Sequence, residues 1–134
     1  MNKFLILALL VSSMPIMAIS KTFKLQDVKE ISTPKTTEEV KAGYDTLYKA
    51  VQELEKNPSD ELAVAILKGY AAVGKKDPSY VGIEDLAPYF KKNSKKMTEL
   101  AKKNLEKKES EVILMALESM AENVGLGNDP SVKE

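Results

Sequence analysis

Residues 62–73 read LAVAILKGYAAV, and Lys68 is the one charged side chain among these twelve residues. A helix that is apolar on nearly all sides must be covered on several of them, yet this segment is too short to cross a membrane. It is therefore predicted to be the central helix of a folded core. Asn57 is placed as its N-cap, with Pro58 at the first helical position, and Gly74 is expected to end it in the left-handed conformation.

The segment before this one predicts an amphipathic helix that opens at Thr36. Thr36 and Glu39 have capping-box spacing, in which the threonine oxygen accepts from the amide three residues on and the glutamate reaches back. Apolar side chains then recur at steps of three and four until Asn57 stops the run: Val40, Tyr44, Leu47, Val51 and Leu54. Their shared face predicts packing against the core helix.

Two further helices are predicted in the C-terminal half. Pro88 forces a fresh start or a kink, because proline lacks the amide donor and restricts the residue before it. A single bent helix up to Leu105 is favoured there over a break at Ser94. The last helix is expected to run from near Ser110 to Gly125, with more than half of its circumference apolar.

The N-terminal residues have the plan of a secretory signal peptide. Residues 1–20 begin with a positive charge at Lys3, continue with an apolar run over residues 4–11 and end in small side chains. Cleavage after Ala18 or Ser20 is predicted, because either leaves a small residue at the cut. We therefore expect a periplasmic or secreted mature chain without a transmembrane segment.

The mature chain is predicted to form one helical domain over residues 36–125. Residues 21–35 alternate briefly at Phe23 and Leu25, so they are expected to form an extended arm. Residues 126–134 lack periodicity and are expected to form a flexible tail.

No strand of convincing length appears, so the fold class is predicted to be all-α, as a compact antiparallel bundle of about four helices. The alternative is a short helical-hairpin solenoid. Residues 48–58 and 70–78 each resemble the second helix and exit turn of a tetratricopeptide repeat. Pro58 and Pro78 are 20 residues apart, whereas such repeats have a period of about 34 residues. This spacing favours the bundle.

The residue inventory limits the possible chemistry. There is no histidine and no cysteine, which excludes serine–histidine and cysteine–histidine catalysis and ordinary zinc sites. The carboxylate pairs Glu84/Asp85 and Glu118/Glu122 fit a helix start and a solvated face. We predict no enzyme activity, no catalytic residue and no cofactor. A hard-cation site near Asp77, Glu84 and Asp85 stays open.

Charge argues against a nucleic-acid partner. All 20 basic residues are lysine, and loss of residues 1–20 removes one of them, leaving 19 positive against 20 negative side chains, a net charge of −1. A near-neutral chain without arginine has neither the overall field nor the bidentate donors that nucleic-acid binding favours.

One local charge excess stands out. Residues 91–108 contain eight lysines and two glutamates, a net charge of +6. Seven of the lysines are predicted to face away from the core: Lys91, Lys92, Lys95, Lys96, Lys102, Lys103 and Lys107. These residues are the candidate surface for an acidic partner protein, an acidic polymer or anionic lipid. The alternative is a solvated helix face whose charge nearby acids balance.

These features favour an exported, non-enzymatic binding module of the bacterial envelope. Cysteine-free export of a small helical domain is more typical of the bacterial periplasm than of animal fluids. Such a module would dock on another protein, as inhibitors, immunity proteins and assembly factors do. The alternative is a periplasmic carrier of lipid or a small ligand, with a cavity between the apolar helices and hydroxyls from Tyr44, Tyr48, Tyr70 and Tyr89.

Overall fold

Helices make up the regular structure of the described chain. The computed structural model describes residues 23–124. It contains six α-helices and one 3-10 helix: α1 (Leu25–Lys29), α2 (Thr37–Lys56), α3 (Asp60–Gly74), the 3-10 helix (Val81–Leu86), α4 (Ala87–Lys92), α5 (Ser94–Asn104) and α6 (Lys107–Glu122).

The all-α prediction is confirmed, because residues 23–124 form helices and no strand. The helix count differs from the four predicted, and a four-helix bundle is not confirmed. The predicted signal peptide, residues 1–20, and the predicted tail, residues 126–134, lie outside the described residues.

α3 is the central helix, as its composition predicts. It packs against α1, α2, α5 and α6, and Ile66, Leu67 and Val73 have no exposed surface. Both ends differ from the prediction. Gly74 is the last helical residue and is not left-handed, and the C-cap is Lys75 with φ of −66°. Ser59 is the N-cap, and its Oγ accepts from the Leu62 amide at 3.1 Å. Ser59 directly precedes the first helical residue, so its side-chain oxygen can bond to the free amide of the first turn. Asn57 lies two residues earlier and does not reach that amide.

α2 begins where the capping box predicts. The Thr36 Oγ1 accepts from the Glu39 amide at 3.1 Å, and the Glu39 carboxylate accepts from the Lys35 amide at 2.7 Å. The glutamate therefore reaches one residue further back than in the standard motif. Leu47, Val51 and Leu54 are buried, which confirms the predicted apolar face.

The predicted extended arm, residues 21–35, contains the short helix α1, so the extended prediction is wrong there. Val28 is 1% exposed, and Leu25 and Ile31 pack against the core on either side of it in sequence. Leu25 and Val28 are three residues apart and lie on one face of α1, which contacts α2 and α3, and Ile31 follows two residues after the helix ends. Burial of this face outweighs the two-residue alternation that suggested an extended chain.

The single bent helix predicted after Pro88 is two helices. Pro88 lies in the first turn of α4, and the chain leaves helical geometry at Asn93, whose φ is −130° and ψ is 34°. The Asn93 side chain donates to the Tyr89 carbonyl at 3.0 Å, so this asparagine closes α4 with its own amide. α5 starts at the next residue, Ser94. A break at this position was the less favoured of the two arrangements that the sequence allowed.

α6 starts three residues before the predicted Ser110. The Ser110 amide donates to the Glu106 carbonyl at 2.9 Å, as in a helix interior. The Ser110 hydroxyl donates back to the Lys107 carbonyl at 2.9 Å, and the residue is 4% exposed. Serine is therefore a buried residue inside the helix here and does not serve as its N-cap.

Candidate functional site

The candidate lysines lie on three helices instead of one. α4 carries Lys91 and Lys92, and α6 begins with Lys107. The remaining four lie on α5: Lys95, Lys96, Lys102 and Lys103. All seven residues are exposed, as predicted. The turn at Asn93 changes the direction of the chain, so the seven side chains do not form a single stripe.

Three of these lysines come together at the junction of α4 and α5. Lys92, Lys95 and Lys96 line one shallow depression with Asn93, Ser94 and Glu99. We call Lys92, Lys95 and Lys96 the junction lysines. Lys96 Nζ lies 3.1 Å from a carboxylate oxygen of Asp60 at the start of α3. Within residues 23–124, neither Lys92 nor Lys95 has a carboxylate within 4.0 Å, so two positive charges here are balanced by no direct contact.

Two other candidates point to different neighbours. Lys91 Nζ donates to the Val124 carbonyl at 2.9 Å, and Lys91 shares a depression between α4 and α6 with Glu118 and Glu122. Lys103 lines a groove that α5 forms with α1 and α3. The structure thus separates Lys91 and Lys103 from the junction lysines. Lys102 and Lys107 are exposed elsewhere on α5 and α6.

The groove between α1, α3 and α5 has a volume of about 600 Å³. Its apolar lining comes from all three helices and from the residues that follow α1: Val28, Ile31, Val64, Ala65, Gly69 and Leu100. Its charged lining includes Lys29, Asp60, Glu61, Lys68 and Lys103. The sequence did not indicate this groove, because residues of the short helix α1, which forms one wall, were expected to be extended.

The predicted cavity between the central and the last helix does not correspond to this groove. Ile66 and Leu67 of α3, and Ile113 and Leu117 of α6, have no accessible surface. A side chain that a water-sized probe cannot touch lines no space large enough for a ligand. These residues form solid core, and no tyrosine lines the groove.

Two of the tyrosines expected to line a cavity instead tie the turn after α3 to the core. The Tyr44 hydroxyl donates to an Asp77 carboxylate oxygen at 2.6 Å, and the Tyr70 hydroxyl donates to the Gly82 carbonyl at 3.2 Å. Their rings are 6.2 Å apart between centroids and tilted by 41°. The Tyr44 ring lies directly over Gly82, where a Cβ atom would overlap it. The arrangement is a packed structural cluster.

The electrostatics of this cluster follow from its packing. Burial, followed by the bond to Asp77, raises the pKa of Tyr44, and burial raises the pKa of Tyr70. The Ser79 hydroxyl donates to Asp77 at 2.6 Å, and this bond, followed by the one from Tyr44, lowers the pKa of Asp77. Asp77 is therefore held as a carboxylate, and the two phenols are held neutral.

The candidate hard-cation site is not assembled. Within residues 23–124 no three acidic side chains come close enough to hold a metal ion, so Asp77 does not join Glu84 and Asp85. Burial, and then the neighbouring Glu84, raises the pKa of Asp85.

None of the helices within residues 23–124 combines the length and the apolar character that a membrane span requires. Comparison with known proteins gives no match, whether to a family model, a curated protein or a solved structure.

Proposed function

We propose that the chain is an exported, non-enzymatic helical module of the bacterial envelope that docks on an acidic surface of another protein. Proteins of the inhibitor, immunity and assembly-factor type work in this way. The observation that carries the proposal is the net charge of +6 over residues 91–108, in which Lys92, Lys95 and Lys96 line one depression with a single acidic residue, Glu99. Unbalanced like charges repel one another, and an acidic partner relieves that repulsion.

α2 shows that this arrangement is not general to the surface. Its three exposed lysines, Lys41, Lys49 and Lys56, stand among five acidic residues of the same helix. Residues 91–108 instead carry a net charge of +6. The lysines of α2 also have no carboxylate within 4.0 Å among the described residues, so the junction differs from α2 in its local net charge.

An acidic protein fits the junction better than an anionic membrane. Proteins that bind membrane surfaces usually add large apolar side chains that enter the headgroup region. The large apolar residues exposed in residues 23–124 are Tyr48, Val81, Val112 and Met115, and none belongs to α4 or α5. The junction offers charge without an apolar anchor, which suits charge complementarity with an acidic protein surface.

We propose a non-enzymatic role because the sequence lacks the side chains most often used in acid–base and nucleophilic catalysis. The sequence contains no histidine or cysteine, so no side chain has an ordinary pKa near neutrality. The strongly shifted groups, Tyr44 and Tyr70, are bonded within the structural cluster. A binding role needs none of these groups to exchange protons.

The docking proposal is tested by co-purification of the native protein from envelope extract. The test variant carries Lys92→Gln, Lys95→Gln and Lys96→Gln, and the matched control carries three lysine-to-glutamine changes at positions 41, 49 and 56 of α2. We expect the parent and the control to retain the same acidic protein and the test variant to lose it, with circular dichroism unchanged in all three. Retention by the test variant, or equal loss from both variants, would contradict the proposal.

Export is tested separately by the N-terminus of the mature protein. Cleavage after Ala18 leaves a chain that begins at Ile19, and cleavage after Ser20 leaves one that begins at Lys21. We expect mass spectrometry of the protein from a periplasmic fraction to give one of these two masses. A chain that keeps Met1 and stays in the cytoplasmic fraction would overturn the export proposal without affecting the docking proposal.

A further inference from the structure

The groove between α1, α3 and α5 is lined by apolar and by charged side chains. Val28 and Ala65 lie at its bottom with 1% and 6% exposure, while Ile31, Val64 and Leu100 are half-buried along it. Its volume of about 600 Å³ falls in the range of about 300–1,000 Å³ found for small-ligand sites.

The charges at the groove are distributed unevenly. Two ion pairs bind the start of α3 to its neighbours: Lys29 to Glu61 at 2.7 Å and Lys96 to Asp60 at 3.1 Å. Those two carboxylates therefore already have cationic partners.

Lys68 and Lys103 lie about two helical turns further along their helices. Lys68 is eight residues after Asp60 and Lys103 is seven residues after Lys96, a displacement of roughly 10–12 Å at 1.5 Å per residue. Both are exposed and line the groove. Neither has a carboxylate within 4.0 Å in the described part of the chain. The groove thus combines an apolar floor with two lysines that have no acidic partner there.

We propose that this groove binds an amphiphile with one anionic head, specifically a long-chain carboxylate. The carboxylate would lie between Lys68 and Lys103, since two ammonium groups provide several charge-assisted hydrogen bonds. The chain would cover Val64, Leu100 and Ile31, whose half-exposed surfaces would then leave water.

A carboxylate with an alkyl chain fits this site better than a peptide. A peptide brings backbone donors and acceptors that need partners when buried. The one neutral amide side chain in the groove is Asn104, and its Nδ2 already donates to the Leu100 carbonyl at 2.9 Å. An alkyl chain makes no such demand. The site uses neither Lys92 nor Lys95, so it does not depend on the proposed docking function.

Dodecanoate, below its micelle-forming concentration, is the probe that tests this inference. Titration of the isotope-labelled protein, followed by amide chemical shifts, is expected to show saturable binding with the largest shifts around Val64, Leu100 and Gly69. Replacing both charges, by Lys68→Gln and Lys103→Gln, should weaken binding about tenfold or more, since charge-assisted bonds to the head are lost. The matched control, Lys92→Gln and Lys95→Gln, should bind as the parent does.

A second probe keeps the test decisive on the parent protein alone. Dodecyltrimethylammonium has the same chain with a cationic head, so its binding at the groove should be much weaker than that of dodecanoate. Absence of saturable shifts, shifts centred away from the groove, equal binding of both probes, or unchanged affinity in the Lys68/Lys103 variant would each overturn the inference. None of these results bears on the docking proposal, whose test concerns the junction lysines.

Discussion

Gly74, the last residue of α3, lies directly under the ring of Tyr80. A Cβ atom at position 74 would overlap three ring and hydroxyl atoms of Tyr80. Tyr80 cannot withdraw freely, because it is 8% exposed and its backbone holds a left-handed conformation with φ of 53°. The substitution Gly74→Ala therefore sets a gain in helix propensity against a steric clash.

The two effects have magnitudes that decide the outcome. Alanine is favoured over glycine by about 1 kcal/mol inside a helix, and by less at the last residue. Overpacking of a well-packed site costs about 1–3 kcal/mol, and expulsion of the tyrosine ring would forfeit about 1.5–3 kcal/mol of burial. We therefore expect Gly74→Ala to lower the free energy of unfolding by about 1–2 kcal/mol.

Gly43→Ala provides a comparison in another helix. A Cβ atom there would meet a single methyl group, the Cγ2 of Val73, at 2.9 Å. The clash involves one atom of one side chain, and position 43 lies inside α2, where the propensity gain is larger. The loss of stability should therefore be smaller for Gly43→Ala than for Gly74→Ala.

A double-mutant cycle with Tyr80→Gly tests the cause. Glycine removes the ring and tolerates the positive φ, so Tyr80→Gly trades lost burial against relieved backbone strain. In that background Gly74→Ala should be neutral or stabilising, which gives a coupling of about 1–3 kcal/mol. Urea denaturation followed by circular dichroism measures each free energy. A clash with Tyr80 would be ruled out as the cause if Gly74→Ala stabilised the parent, or if its effect were the same with and without the Tyr80 ring.

Leu67→Ala should lower the free energy of unfolding by about 2–5 kcal/mol, because burial is lost and a cavity forms. Lys68→Ala on the same helix should change it by no more than about 0.5 kcal/mol. Urea denaturation measures both, and equal stabilities of the two variants would show that the core is misplaced. The bond from Ser79 is the largest cause of the low pKa of Asp77, so Asp77 contributes stability above its ordinary pKa of about 4, and this is lost as the pH falls through its folded pKa. Ser79→Ala should shrink that acid-dependent loss, as measured by the free energy of unfolding between about pH 7 and pH 2; an acid profile identical to the parent's would argue against this role. Because the folded pKa of Tyr70 is raised by burial, its contribution is complete below about pH 10 and lost as the pH rises further. Alkaline absorbance titration should therefore show one fewer late-ionising phenol in Tyr70→Phe, and an unchanged late phase would contradict the burial argument.

Local patterns predicted the parts of the fold that depend on neighbouring residues. The all-α class, the central position of α3 and the Thr36 cap all follow from periodicity, apolar content and the spacing of one oxygen from one amide. Each of these signals is contained within a few residues. They needed no knowledge of the tertiary arrangement.

The errors lie where tertiary contacts or competing local bonds decide. α1 was missed because its five residues are too few to show a helical period, and Leu25 and Val28 are covered only by packing against α2 and α3. The sequence allowed either a bend or a break at Asn93. The break is found, and there the Asn93 side chain bonds to the Tyr89 carbonyl at the end of α4.

The candidate site was predicted in part. The exposure of the seven lysines follows from the amphipathic pattern, and the structure agrees. Their grouping does not follow from the pattern, because one non-helical residue, Asn93, places Lys92 with Lys95 and Lys96 and leaves Lys91 beside α6. The groove could not be predicted, since one of its walls is the helix that the sequence did not indicate.

Site-specific photo-crosslinking in the envelope tests the docking account most directly. A photoreactive residue in place of Lys95, at the junction of α4 and α5, should form a covalent adduct with one acidic protein, and the same residue in place of Lys49 on α2 should not. Raised salt should reduce the adduct, because screening weakens attraction between exposed charges. An absence of any adduct from position 95, or the same adducts from both positions, would contradict the claim that the junction lysines are the docking surface.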